Sequence, residues 1–274
     1  MTTLSTSASV HHALVLDRQE LAPGVVLLGF DACELVRVTR PGQFVMVVPP
    51  SREVAATALG IYEASEKRAS ILFFTVGKRT RELDLLRPGD SITVVGPLGN
   101  GFTFGEAKDV AIVAGGVGIA SVLLPAIALI AAGARVRLYY GARTKALLVE
   151  RERFASEGCE VICATDDGSY GERGFVTGLL ARASDPPQEI LACGPTPMLR
   201  AVGSIAAEMN VRAQLSLEET FACGVGGCWG CVVPLAGTSP QAPSFPPASQ
   251  NGSDVVYARV CKEGPVFWAH ELRW

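Results

Sequence analysis

The sequence predicts a multi-domain chain: an N-terminal antiparallel β-barrel, a central α/β doubly wound parallel sheet, and a small C-terminal lobe held by cysteines. Three observations carry this prediction. Short apolar stretches broken by turn signals fill the first third of the chain, strand-like and helix-like stretches then alternate, and four cysteines gather near the end. The expected boundaries are 1–104, 105–215 and 216–274. A length of 274 residues corresponds to about two average domains. A composition that is 49% hydrophobic and 19% charged supplies ample globular core, and a net charge of −3 with interspersed signs excludes a nucleic-acid footprint.

The barrel is read from HHALVLDRQ, VVLLGFD, QFVMVVP, ASILFFTV and SITVVG. Pro23-Gly24, Pro41-Gly42, Pro88-Gly89 and Gly99-Asn100-Gly101 punctuate these stretches, and short strands at such spacing close into a small barrel. The parallel sheet is read from DVAIVA, VRLYYG, EVICAT and EILACG, with helices expected near 121–132, 147–157, 175–182 and 196–209. Val110 to Ala134 contains no charged residue and is long enough to span a bilayer. Its glycines and Pro125 favour a buried strand, a GGVG turn and a covered helix instead, so no membrane segment is expected. The N-terminal stretch lacks a basic start followed by an apolar run. No signal peptide is therefore expected, and the expected location is cytoplasmic with reduced thiols.

The third unit rests on Cys223, Cys228, Cys231 and Cys261. Their spacing, C-x4-C-x2-C and then a distant fourth cysteine, is the plant-type ligand pattern of a [2Fe–2S] cluster. Such a cluster takes two thiolates per iron, with three of the four on one tight loop. Gly224, Gly226, Gly227 and Gly230 suit a backbone wrapped around sulfide, and its N–H groups can point at sulfur. Zinc and disulfides are the alternatives. Zinc usually takes two C-x2-C pairs and only Cys228/Cys231 has that spacing, while disulfides need an oxidising compartment. The Pro- and Ser-rich stretch 235–254 reads as a surface loop between the third and fourth cysteines. Cys33, Cys159 and Cys163 have no ligand spacing, and His11, His12 and His270 form no cluster. Trp229 is placed to shield the cluster, and Phe267, Trp268 and Trp274 are expected to pack.

Two further motifs lie at expected strand ends. AGGVG (114–118) sits between a strand and a helix, where a dinucleotide pyrophosphate binds in a doubly wound sheet. A tight turn without a ligand is the other reading. LACGPTPM (191–198) ends the last expected parallel strand, so Cys193 either faces a nicotinamide or is a buried, inert thiol. The acids of ATDDGSYGERGFV (164–176) either bind ribose or cap the next helix.

Together these stretches resemble a known family. PGQFVMV (41–47), GKRTREL (77–83) and PGDSITVVGPLGNGF (88–102) resemble the flavin barrel of ferredoxin-reductase-like proteins. AGGVGIA, LACGPTPML, LSLEETFACGVGGCWGCVV and VCKEGPVF extend the likeness to about residue 268. The whole is similar to the electron-transfer subunit of the two-component, NAD-dependent dihydroorotate dehydrogenase. The resemblance implies an oxidoreductase component of pyrimidine biosynthesis. A catalytic partner subunit carrying FMN oxidises dihydroorotate, and electrons pass singly through the [2Fe–2S] cluster to FAD, then as hydride to NAD+. The implied assembly is a heterotetramer of two catalytic and two electron-transfer subunits. It further implies Cys223, Cys228, Cys231 and Cys261 as iron ligands, Gly77, Lys78, Arg79 and Thr80 at the flavin pyrophosphate, and Gly115, Gly116, Gly118, Gly194 and Pro195 at the nucleotide, with Cys193 as the catalytic thiol.

The chain departs from that family's pattern at three places. The R-P-x-S-I-like flavin motif is replaced by Thr57-Ala58-Leu59-Gly60-Ile61, so its Arg and Ser are both missing; Arg52 is nearby but off register. The G-K-G-T loop reads Gly77-Lys78-Arg79-Thr80, and Arg79 is expected to restore the lost charge, because guanidinium suits phosphate. Ser121 stands where the family usually has Pro. Two alternative functions follow: a NAD(P)H reductase component serving a different partner, and a FAD-poor, cluster-bearing structural subunit.

Overall fold

The computed structural model describes residues 8–51, 54–241 and 255–274; Arg52 and most of the 235–254 stretch lie outside these. Six antiparallel strands close the barrel: β1 (Ser9–Ala22), β2 (Val25–Asp31), β3 (Phe44–Val48), β4 (Thr57–Ser65), β5 (Arg68–Phe74) and β6 (Ser91–Leu98), in the order β1-β2-β5-β4-β3-β6. Strand alternation divides the side chains between the barrel interior and the cores outside it. Val26, Leu28, Phe30, Val45, Val47, Ile61, Ile71 and Phe73 fill the barrel, while Phe44, Met46 and Tyr62 point out into neighbouring cores. Two short helices, α1 (Cys33–Val38) and α2 (Lys78–Asp84), plug the barrel with Leu35 and Leu83. Strand β4 was absent from the sequence expectation. Its residues, TALGIYEAS, mix Ala, Gly and Glu, and it forms a strand because β3 and β5 pair with it on both sides.

The second unit contains β7 (Asp109–Gly115), α3 (Leu123–Ala131), β8 (Arg135–Ala142), α4 (Arg151–Ser156), β9 (Glu160–Thr165), β10 (Glu172–Arg173), α5 (Val176–Ala181), β11 (Glu189–Cys193), α6 (Thr196–Glu208) and β12 (Arg212–Ser216). The order β10-β9-β8-β7-β11-β12 is that of a doubly wound parallel sheet whose winding reverses between β7 and β11. The uncharged run from Val110 divides into β7, a 3-10 turn over Gly116–Ser121, and α3. The glycine turn thus opens into a 3-10 turn before the α-helix begins. Among the described residues no helix is long and apolar enough to cross a membrane.

The cysteine-bearing segment forms a hairpin of β13 (Val232–Ala236) and β14 (Val255–Arg259), and β15 (Val266–Trp268) then pairs antiparallel with β12. Phe267 is fully buried in that pairing, but Trp268 is half-buried and Trp274 exposed, so the expected packing of the aromatic tail holds for Phe267 and not for Trp274. One hydrophobic core runs through all three segments, from Phe44 and Met46 of the barrel through Ala111 and Val113 to Phe221, Cys231 and Cys261. Polar ties reinforce it. The Tyr62 hydroxyl donates to Glu150 Oε2 at 2.6 Å and Arg153 Nη2 to Glu63 Oε1 at 3.0 Å, both joining barrel to sheet. Burial, reinforced by the Glu150 carboxylate, raises the Tyr62 pKa and keeps the phenol protonated.

Candidate functional site

The cysteines stand as two pairs. Burial works against the Cys223 thiolate, but the backbone N–H groups of Cys228, Val225 and Gly227 and the Cys228 side chain hold its pKa down to about 6. Cys261 is pushed up to about 12 by burial, then by the Cys231 side chain beside it, and it also senses Cys223. Gly227 N–H donates to Cys223 Sγ at 3.3 Å, and Cys261 N–H to Cys231 Sγ at 3.5 Å. Among the described residues no three His, Cys, Asp or Glu side chains converge on a single-ion site. Two adjoining thiol pairs with N–H groups on sulfur suit the donor set of a [2Fe–2S] cluster.

The pairs differ in depth. Cys231 and Cys261 are buried, whereas Cys228 is exposed. Gly224 and Gly226 have positive φ (70° and 82°), and a Cβ at Gly224 would lie 2.6 Å from Met46 of β3. Gly227 meets no such limit; the third left-handed position of the loop is Trp229, φ 57°. Trp229 lies against the Arg259 guanidinium, 4.5 Å from its ring centroid, and Arg259 Nη1 donates to Gly226 O at 2.8 Å. Arg259, itself paired with Glu263, therefore pins the loop from β14. The sequence reading passed over it because that contact spans 33 residues.

One strand away from Met46, β4 presents Ala58 and Gly60, paired with Met46 and Phe44 of β3. Both are half-buried and carry little or no side chain, so this face of β4 is flat. Arg79 Nη1 donates to Ala56 O at 3.2 Å, which brings its guanidinium beside Thr57, the position where the family's Arg is missing. The Thr57 hydroxyl is buried without a partner among the described residues. At the start of α2, Thr80 Oγ1 accepts the N–H groups of Val76 and Gly77 at 3.0 and 3.1 Å. Lys78 is exposed, and no atom lies within 4 Å of a Cβ built on Gly77. A retained cation, a flat face and an open glycine loop fit a flavin nucleotide.

At the reversal between β7 and β11 the two glycine turns pack into each other. A Cβ on Gly118 would lie 2.1 Å from Cys193 O, and one on Gly115 2.6 Å from Met198 Sδ. These glycines hold the strand ends together. Gly116, φ 53°, has no atom within 4 Å of its Cβ position. A cavity of about 720 Å³ opens here, lined by Gly115, Gly116, Pro195, Met198, Phe175 and Thr177. Asp166 also lines it, Asp167 accepts the Ser169 N–H and hydroxyl, and Glu172 pairs with Arg182; none of the three acids of that loop caps α5.

Cys193 is buried behind this lining. Its Sγ lies 3.8 Å from Glu218 Oε1, with the Ser121 and Ser216 side chains beside it. Burial, then the nearby Glu218 carboxylate, raises its pKa, so it is a thiol at neutral pH. Glu218 lines the cavity directly. It is open toward the cavity and crowded on its other sides, and that crowding raises its pKa, with Cys193 partly opposing. Sequence reading missed Glu218, although an acid two residues past the end of β12 at the sheet's ligand-binding edge was a usable signal.

Comparison with known proteins agrees with this arrangement. Residues 247–273, which include Cys261, match the family described as the iron-sulfur cluster binding domain of dihydroorotate dehydrogenase B. The chain is 35% identical to the "Dihydroorotate dehydrogenase B (NAD(+)), electron transfer subunit" of Caldanaerobacter subterraneus subsp. tengcongensis, over 95% of this chain and 97% of that one. It is 34% identical to the protein of the same name from Desulforamulus reducens, over 97% and 99%. Among solved structures it superposes on a chain from the NADH-dependent reduced ferredoxin-NADP oxidoreductase with a TM-score of 0.83, at 29% identity, covering 96% of this chain and 90% of that one. The ferredoxin reductase in carbazole 1,9a-dioxygenase shares the fold at a TM-score of 0.64 and 21% identity, covering 76% and 68%.

Proposed function

The chain belongs to the family of dihydroorotate dehydrogenase B electron transfer subunits, and on that premise we propose that it carries electrons from a catalytic, FMN-bearing dihydroorotate dehydrogenase partner to NAD+. In this reading it works in the cytoplasm in a heterotetramer of two catalytic and two electron-transfer subunits. Its working segments are 1–104 for FAD, 105–215 for NAD+ and 216–274 for the cluster. When bound, the [2Fe–2S] cluster supplies one-electron transfer and FAD the two-electron capacity that a hydride to NAD+ requires.

The residues divide the work. Cys223 and Cys228 would hold the outer iron, and Cys231 and Cys261 the inner one. The exposed Cys228, with exposed Val225, Val232 and Tyr257 on the same lobe, suits docking of the partner. The cysteine loop approaches β3 at Gly224, beside Met46, and β4 is one inter-strand step further, about 5 Å. Arg79 would neutralise flavin phosphate, with Gly77, Lys78 and Thr80 forming the loop beneath it. Gly116 and Pro195 would meet the dinucleotide, while Gly115, Gly118 and Gly194 keep the two strand ends close enough to form its floor. Asp166 would accept from a ribose hydroxyl. Cys193, uncharged and held by Glu218, would back the nicotinamide end, and the apolar cavity wall would exclude water.

The observation that carries this reading is the adjacency of parts: a two-pair cysteine loop, a flat strand and a nucleotide-sized cavity, each one element from the next. Cofactor analysis of the chain purified without oxygen tests it. One FAD, two irons and two acid-labile sulfides per chain are expected. Iron and sulfide without flavin, and no uptake of added FAD, would instead favour the FAD-poor subunit.

A further inference from the structure

Two of the chain's departures meet in space. A Cβ built on Gly60 would lie 2.5 Å from Ser121 Oγ, while Ser121 Cβ is 3.5 Å away. The Ser121 hydroxyl thus occupies the volume that a residue-60 side chain would fill, and a side chain at 60 would displace it. Gly60 belongs to the barrel and Ser121 closes the 3-10 turn that follows β7, so the hydroxyl reaches the flat face of β4 from the opposite wall. The face itself offers no side-chain donor at Ala58 or Gly60.

The Ser121 hydroxyl is also held ready. Its neighbour Cys193 donates its thiol proton to Glu218 Oε1 at 3.8 Å, which leaves the sulfur toward Ser121 as a weak acceptor only. An O–H beside sulfur gains by turning to a ring nitrogen or carbonyl, both stronger acceptors. Ser121 is only half-buried.

Given the flavin reading above, on which this rests, we propose that Ser121 supplies the hydroxyl that contacts the polar edge of the bound flavin ring, in place of a side chain at position 60. The two departures are then one hydroxyl moved across the site. Ser121 is a positioning residue for the ring and, through Cys193, links the flavin face to Glu218 at the cavity.

The test uses the full chain with its cluster, stripped of flavin and titrated with FAD in the absence of oxygen. Ser121→Ala should weaken FAD binding about fivefold, the value of one neutral hydrogen bond, and shift the visible flavin band while iron content stays at the wild-type level. Gly60→Ser/Ser121→Ala, in which the Cβ at 60 has 3.5 Å of clearance from Cβ at 121, should restore both affinity and spectrum. Unchanged affinity and spectrum in Ser121→Ala, or a double variant no tighter than the single one, would overturn the proposal while leaving the flavin reading standing. A wild-type chain that takes up no FAD would overturn both.

Discussion

Arg79 offers the sharpest perturbation of the flavin site. Its guanidinium is half-buried and tethered by one donor to Ala56 O at 3.2 Å. A charge-assisted hydrogen bond contributes about 1.5–3 kcal/mol, or about 10- to 150-fold in Kd. Partial exposure favours the low end of that range, so Arg79→Ala should weaken FAD binding about tenfold. The substitution removes no helix propensity from α2, since Ala is the better helix former. Arg79→Lys keeps the charge but loses the planar fork, and should fall between wild type and Ala. The assay is equilibrium titration of flavin-stripped protein by FAD fluorescence, with iron content as the control for folding. Equal Kd values for wild type and Arg79→Ala would show that Arg79 does not replace the missing Arg at position 57.

Other outcomes follow from the same geometry. Gly118→Ala forces a Cβ to within 2.1 Å of backbone at Cys193; a cost of about 1–3 kcal/mol should lower the melting midpoint by about 2–12 °C. Gly116→Ala bears only the left-handed backbone cost, about 1–2 kcal/mol, and a larger loss there than at Gly118 would refute the packing argument. Cys228→Ser should abolish the cluster; iron and labile sulfide retained at wild-type levels would disprove the ligand set. Desolvation at the cavity edge raises the Glu218 pKa although the residue is exposed, so the folded chain holds that proton more tightly than the unfolded one. The associated stability is present below the ordinary carboxylate pKa of about 4.3 and is lost as pH rises toward the raised value. Glu218→Gln, which stays neutral, should therefore gain on wild type in thermal denaturation as pH increases from 4 upward. A stability gap that does not change with pH would contradict the assigned shift.

What the sequence made legible was local chemistry. The cysteine spacing, the glycine turn at 114–118 and the alternation of strands and helices each lie within a short window, and each appears in the structure as a loop or element of the expected kind. Strand β4 was not legible, because its register depends on β3 and β5 rather than on its own pattern. Arg259, Glu218 and the meeting of Gly60 with Ser121 were also hidden. Each acts across 25 or more residues of chain, and only closure of the barrel against the sheet brings the partners together. The glycines of AGGVG show the difference within one motif: sequence placed the turn, but the structure gives Gly115 and Gly118 to strand packing and leaves Gly116 open to the cavity.

The central claim is that electrons pass from dihydroorotate to NAD+ through this chain's cluster. Its most direct test mixes the chain with the catalytic partner, dihydroorotate and NAD+ under anaerobic conditions and follows NADH absorbance. NADH formation that needs both proteins and disappears with Cys228→Ser is the predicted result. NADH formed at the wild-type rate by Cys228→Ser, or none formed from dihydroorotate while the chain alone reduces a ferredoxin with NADH, would contradict the account.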